Sequence, residues 1–293
     1  MGTWSLEDIP WDRFDGSKVN PEIVPVVKAA SMVEYNAGDY RRYLHNVFDG
    51  DRRLQAALKG WSAEEIQHGR ALGKWAELAD PGFDFESSFH RFVANFNFPL
   101  DVSHSVRGSR TGELLARCMV ETGTNSFYSA LADSTDEPVL KEVCRRIAED
   151  ELAHYYLFLS YMRRYLENEG LTFCGRLRIA FARISETTDE ELGSAYWAAN
   201  RPGEHFERRP NSVAYARAAL KYYHPAHARR MVEMIFGALG LNPSGLLGWM
   251  ATRAARAFIW YRSRFIPRIE VLQSRMSDRL HRAAVIYQRS GTR

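Results

Sequence analysis

Apolar residues recur along this 293-residue chain at the three-to-four-residue spacing of helices, and no run of useful length alternates as a strand does. Four long helices are predicted in the first 170 residues. The first starts near Pro21 or Pro25, because proline fits a first helical turn. It carries Val26, Val27 and Val33 and runs to Phe48, where Phe48-Asp49-Gly50-Asp51 makes a turn. Gly60-Trp61 interrupts the pattern, and Ser62 opens a second helix that reaches about Leu78 and closes at Ala79-Asp80-Pro81-Gly82. The third covers about 111–132. The fourth covers about 137–167 and ends at Asn168-Glu169-Gly170. Between the two helix pairs, residues 83–110 form a long Phe-rich connection. Residues 1–20 have no period and read as an irregular arm packed by Trp4, Trp11 and Phe14. Residues 171–293 are expected to add helices, broken at Pro202-Gly203, His224-Pro225, Asn242-Pro243 and Pro267, and to pack on the bundle.

Several polar positions inside these helices form a pattern of their own. Glu151 and His154 are three residues apart, as are Glu65 and His68, and each pair follows a further carboxylate, Asp150 or Glu64. Side chains at i and i+3 share a helix face, so each pair presents a carboxylate oxygen and an imidazole nitrogen together. That donor set suits a divalent transition metal such as iron. Glu34 precedes Glu65 by 31 residues, and Glu121 precedes Glu151 by 30. Such a gap is one helix out and the next one back, which returns both side chains to one level. The chain thus carries Glu…Glu-x-x-His twice, as Glu34, Glu65, His68 and as Glu121, Glu151, His154. Four Glu and two His arranged so are the ligand set of a di-iron carboxylate four-helix bundle. The fold predicted is therefore all-α, a ferritin-like four-helix bundle over residues 21–170 with one long crossover and additional C-terminal helices. Ser62-Ala63-Glu64-Glu65 is also a capping box, in which Glu65 would fold back on a helix start. His68 one turn on and the second copy of the motif weigh for ligation. His90 and His104, outside the repeat, read as ordinary histidines.

Residues 61–69 resemble the acyl-carrier-protein desaturase motif Trp-Thr-Ala-Glu-Glu-Asn-Arg-His-Gly, and Asp150–His154 resembles that family's Asp-Glu-Lys-Arg-His. Glu34 is followed six positions later by Tyr40, as in the family's first ligand helix. Glu121 is followed by Thr124, similar to the family's Glu-x-x-Thr, and Phe265-Ile266-Pro267-Arg268-Ile269 loosely resembles a stretch near its C-terminus. The motifs cover roughly 30–160. Ile66-Gln67 and Leu152-Ala153 replace the polar pairs usually found inside the two motifs. The resemblance implies two iron ions, with manganese the alternative at either position, and Glu65 and Glu151 as bridges. It implies that Asp150 holds His68 and that Glu64 holds His154 across the bundle, although Glu64 also suits a solvent-facing helix start. It gives Thr124 a role on the oxygen side. The bland alternative for Thr124 is a bond back to a carbonyl at i−3 or i−4.

Composition narrows the setting. The chain is 45% hydrophobic and 26% charged with a net charge of +3, ordinary for a soluble protein. No run of eighteen apolar residues is present, so no membrane span is expected. Met-Gly-Thr-Trp-Ser-Leu-Glu-Asp lacks a basic region and an apolar core, so no signal peptide is read and a cytoplasmic location is expected. Cys118, Cys144 and Cys174 are isolated, which excludes rubredoxin-type and zinc-ribbon sites. No Gly-rich phosphate loop follows a strand, so nucleotide binding has no support. From 250 to 293 there are ten Arg against Glu270 and Asp278. This segment reads as an amphipathic helix with a solvated basic face or as a dock for an acidic partner such as an acyl carrier protein or a ferredoxin. No nucleic-acid recognition motif accompanies it. The cluster Glu186–Glu191 reads as a water-exposed helix start.

Two function classes follow. One is an O2-dependent di-iron oxidoreductase that desaturates or otherwise oxidises a long-chain acyl substrate at an unactivated C–H bond, with electrons from an external ferredoxin-like donor and a homodimeric assembly. The alternatives are a ferroxidase or iron-binding bundle, and a di-iron hydroxylase or N-oxygenase of another small molecule. The residues beyond the bundle weigh against storage. A radical-type ribonucleotide reductase subunit is disfavoured, because the position four after His68 is Leu72 rather than tyrosine.

Overall fold

The protein is described here from a computed structural model covering residues 4–96, 100, 102–186 and 190–264. Among the described residues every regular element is helical: α1 Val24–Tyr35, α2 Ala37–Val47, α3 Arg52–Ala79, α4 Phe85–Asn95, α5 Arg110–Ser134, α6 Pro138–Glu169, α7 Phe173–Ser185, α8 Glu190–Asn200, α9 Arg208–Leu220, α10 Pro225–Leu239 and α11 Leu246–Arg264. None of them is long and apolar enough to cross a membrane.

Two antiparallel pairs carry the architecture. α5 packs along α6, and their opposite directions show in the bonds from the Asn125 amide to Ala148 O (2.6 Å) and from Arg110 N–H to Glu169 (3.2 Å). α1 packs along α3, with Lys28 reaching Asp80 at 2.5 Å near one end. Gly69 lies where the α1 and α3 backbones come closest: a Cβ there would sit 2.6 Å from Tyr35 N and 2.7 Å from Ser31 O, so only glycine fits. α3 also packs on α6, which joins the pairs.

The apolar core falls into two clusters. One gathers Val26, Val27, Met32, Leu72, Trp75, Leu131, Val143 and Ile147. The other gathers Leu44, Leu54, Leu58, Trp61, Leu114, Leu115, Phe158 and Met162. Along each of α3, α5 and α6 the chain passes from one cluster to the other, and the buried residues in between are polar: Glu65 and His68, Glu121, and Glu151 and His154. Glu34 occupies the same place at the end of α1. The paired helices therefore enclose one polar layer between two apolar ones.

The structure departs from the sequence expectation in four places. The first helix is two, divided at Asn36, whose ψ of 4° opens the backbone while its N–H is shared between Met32 O and Val33 O; asparagine at 36 and glycine at 38 are weak helix formers. The second helix begins not at Ser62 but at Arg52, where Asp51 Oδ1 accepts from Leu54 N–H at 3.1 Å. Gly60 lies inside it, because Leu54, Leu58 and Trp61 bury one continuous face. Residues 83–110 are not a plain crossover, since they hold α4, capped by Asp84 and packed on α8. Glu191 is not exposed: it is buried and accepts from the Tyr40 hydroxyl at 2.5 Å, while Glu186 pairs with Arg107. The expected breaks at 202–203, 224–225 and 242–243 all separate helices. Pro267 and most of the basic segment lie outside the described residues. His90 and His104 are exposed.

Candidate metal centre

Each side chain of the polar layer is set by its helix register. Glu65 and His68 project from one face of α3, Glu151 and His154 from one face of α6, and all four are buried. Glu34 from α1 and Glu121 from α5 complete the layer. Two overlapping groups result. Glu34, Glu65, His68 and Glu151 offer ligand atoms that all lie within 4.8 Å of one another, and so do Glu65, Glu121, Glu151 and His154. Glu65 and Glu151 belong to both. Each group could hold a metal ion.

The two imidazoles are oriented alike. His68 turns Nδ1 inward, 3.3 Å from Glu65 Oε2 and 3.3 Å from Glu151 Oε1, and Nε2 outward, 3.0 Å from Asp150 Oδ2. His154 turns Nδ1 inward, 3.4 Å from Glu65 Oε1 and 3.8 Å from Glu121 Oε2, and Nε2 outward, 2.8 Å from Glu64 Oε2. The outer pairs cross between α3 and α6. Trp4 Nε1 donates to the same Asp150 oxygen at 2.7 Å, and its ring stacks over His68 at 6.0 Å.

Four carboxylates in one dry layer repel one another and lose their hydration, a cost that must be met by cations or by protons. In the absence of a metal, protons take that place. Burial, then the charges of Glu65 and Glu151, hold the Glu34 carboxyl well above the ordinary carboxylate range. Burial likewise raises Glu121, and Arg117 only partly offsets it. Burial alone would raise Glu65 too, but hydrogen bonds from His154, His68 and Glu34 outweigh it and hold Glu65 well below. For the two imidazoles burial opposes the charged form and is outweighed by the carboxylates: Asp150, Glu151 and Glu65 raise His68, and Glu64 and Glu65 raise His154 to about 10.

The layer is also incomplete as a hydrogen-bond network. Glu121 Oε2, Glu151 Oε1 and His154 Nδ1 are buried with no well-formed hydrogen bond, their nearest polar neighbours being the long contacts inside the layer. Buried polar atoms are normally satisfied, and these three all face the shared centre. Oxygen and imidazole donors with unmet lone pairs in a closed layer fit first-row divalent metals. Glu65 is no helix cap: Ser62 lies inside α3, its hydroxyl directed to Lys59 O at 3.3 Å.

Thr124 is half-buried, with its hydroxyl on Glu151 Oε2 and 3.3 Å from the carbonyls of Val120 and Glu121. Three neighbours have no place in the sequence pattern. Tyr128 donates its hydroxyl to Glu34 Oε1 at 2.5 Å. Arg117, buried, donates to Glu121 Oε1 at 2.9 Å. Trp4 reaches the centre through Asp150. Arg117 and Tyr128 stand four before and seven after Glu121, on its own face of α5, so helical spacing could have found both; Trp4, 146 positions from Asp150, has no local signal. A cavity of about 270 Å³ lined by Val24, Pro25, Lys28 and Asp80 opens at the start of α1 and includes none of the six central residues.

No protein-family model and no curated protein sequence matches the chain.

Proposed function

We propose that the protein is a ferritin-like di-iron oxidoreductase that uses O2 to oxidise an apolar substrate at an unactivated C–H bond, most simply by desaturating a long acyl chain. The observation that carries the metal reading is the sharing of Glu65 and Glu151 between two four-residue groups. Two divalent ions would supply four positive charges to the four glutamates of the layer, whereas the bare layer depends on protons. Glu34 and His68 would hold one ion and Glu121 and His154 the other, and Glu65 and Glu151 would be shared by both. Iron is the metal proposed, with manganese the alternative. When bound, a carboxylate-bridged iron pair supplies the electrons that reduce O2 to an oxidant able to take hydrogen from carbon.

This chain's residues then have distinct tasks. Asp150 and Glu64 fix the ring orientation of His68 and His154 and raise their basicity. The two apolar clusters exclude water from the layer, which strengthens every electrostatic interaction inside it. Thr124, on Glu151, holds a hydroxyl proton at the edge of the centre. The electron donor proposed is an external ferredoxin-like protein. The choice of an acyl substrate rests on the resemblance of 61–69 and 150–154 to acyl-carrier-protein desaturases.

The test is direct. Iron-reconstituted protein should hold close to two irons per chain. Reduced and supplied with O2 and a carrier-linked saturated acyl chain, it should yield a product two mass units lighter. Iron oxidation with no organic substrate losing hydrogen or gaining oxygen would make it a ferroxidase.

A further inference from the structure

The two halves of the centre are alike in their ligating residues and unlike in what stands behind them. Behind Glu34 is the Tyr128 hydroxyl, a neutral donor, on Oε1 at 2.5 Å. Behind Glu121 is the Arg117 guanidinium, a full cation, on Oε1 at 2.9 Å. Arg117 is buried, 8% exposed, in a box of aromatic rings, with its charge centre 4.8 Å from the Trp61 ring, 5.3 Å from Tyr40 and 5.5 Å from Phe158. Among the described residues Glu121 is the only carboxylate within ion-pair distance of it. Its Nε–H has no partner at all. A guanidinium stays charged even when buried, so this cation is a permanent feature of one side.

Resting on the two-metal reading, we infer that Arg117 makes the two metal positions unequal: the first ion takes the side of Glu34 and His68, and the side of Glu121 and His154 fills second and more weakly. Two effects act together. Arg117 engages Glu121 Oε1 and leaves Oε2, the buried oxygen with no well-formed hydrogen bond, as the atom free for a metal. Arg117 also cancels most of the charge that Glu121 brings and repels a cation one carboxylate away, in a layer where water does not screen it. Tyr128 also engages one oxygen of Glu34, but as a neutral donor it neither cancels the charge of that carboxylate nor repels a cation. Arg117 is thus a positioning residue, acting on the metal through Glu121.

The test titrates metal-free full-length protein with Co(II), followed by its visible absorption, and locates cobalt by anomalous diffraction in crystals given one equivalent. Wild type is expected to load in two steps, with affinities at least about tenfold apart, and the single cobalt to lie between Glu34 and His68. Arg117→Met, which fills the aromatic box without charge, should tighten the second step by about tenfold and merge the two. Arg117→Lys keeps the charge and should keep the steps apart. Tyr128→Phe removes a hydrogen bond but no charge and should leave the two steps apart. A first cobalt between Glu121 and His154 overturns the inference, as does an Arg117→Met protein that loads with the wild-type separation. If Arg117→Met fails to fold, the wild-type crystal decides alone. Two ions bound with one affinity sink this inference and leave the two-metal reading standing; fewer than two ions per chain sink both.

Discussion

His154 places Nε2 2.8 Å from Glu64 Oε2 on the neighbouring helix while Nδ1 faces Glu65 and Glu121. One ring is thereby fixed from both sides, and His68 is fixed in the same way by Asp150. Without the outer carboxylate a ring can rotate and is a poorer donor. Glu64→Gln and Asp150→Asn should each lower metal affinity by about 10–100-fold with the helical content intact. Competition with a chelator of known affinity measures this. Full affinity in both variants would leave the outer carboxylates with a packing role only.

Glu151 belongs to both four-residue groups, Glu34 to one. Removing a shared ligand should damage both positions and removing a terminal one should damage its own. Glu151→Ala is therefore expected to lose most of both irons, and Glu34→Ala about one. Metal analysis after anaerobic reconstitution distinguishes the two, and equal losses would argue against a shared carboxylate.

The protons that stand in for metal give the metal-free protein a specific pH dependence. His154, raised from 6.5 to about 10, contributes stability that is complete below pH 6.5 and lost as pH climbs through 10. His68 is shifted in the same direction, and Glu34 and Glu121, raised by burial, also favour the folded state when protonated. Glu65 is depressed, so its contribution is already complete above its ordinary range and stays constant here. The metal-free protein should therefore lose stability steadily from pH 6.5 to 10. Metal binding displaces these protons, so the melting temperature of the loaded protein should exceed that of the metal-free protein by a margin that widens with pH. A margin that stays constant from pH 6 to 9 would contradict this.

What was legible in the sequence follows from how local each feature is. The spacing of Glu65 to His68 and of Glu151 to His154 is a property of a single helical turn, and the gap of about 30 residues is a property of a hairpin, so the pattern alone named the six residues that the structure brings into one layer. The start of α3 was not legible. Gly60 and Ser62 read as a break and a cap, but the apolar face from Leu54 to Trp61 outweighs a single glycine. At Asn36 the only sign was the weak helix propensity of Asn36 and Gly38, because a bend of one residue leaves the apolar spacing on each side unchanged. Trp4 could not be placed at all: its bond to Asp150 joins the arm to the middle of α6, a tertiary contact without local pattern.

Gly69 connects the backbone to the site. It follows His68 directly, and a methyl group at 69 would meet Tyr35 N and Ser31 O at under 3 Å, pushing α3 from α1 next to Glu34. Gly69→Ala should cost about 1–3 kcal/mol, as overpacking does, and should lower metal occupancy because Glu34 and His68 move apart. Urea unfolding gives the first and metal analysis the second. Gly38→Ala, with nothing within 4 Å of the added carbon, is the control: it should leave metal occupancy unchanged and, being in a helix, raise stability by up to about 1 kcal/mol rather than lower it.

Thr124 separates a structural hydroxyl from a chemical one. Its oxygen lies 3.3 Å from the carbonyls of Val120 and Glu121, where a buried threonine ordinarily finds its partner. It also meets Glu151 Oε2, an oxygen of a carboxylate shared by both groups. If the carbonyl bonds are its whole role, Thr124→Val removes a hydrogen bond worth about 1 kcal/mol and changes nothing else. If the hydroxyl supplies or holds a proton at the centre, Thr124→Val should keep both irons and still consume O2, while the yield of oxidised substrate per O2 falls, with the difference released as reduced oxygen. Thr124→Ser, which keeps the hydroxyl, should recover most of the yield. The measurement is product and O2 counted in the same reaction. A valine variant with wild-type yield per O2 would return Thr124 to helix structure.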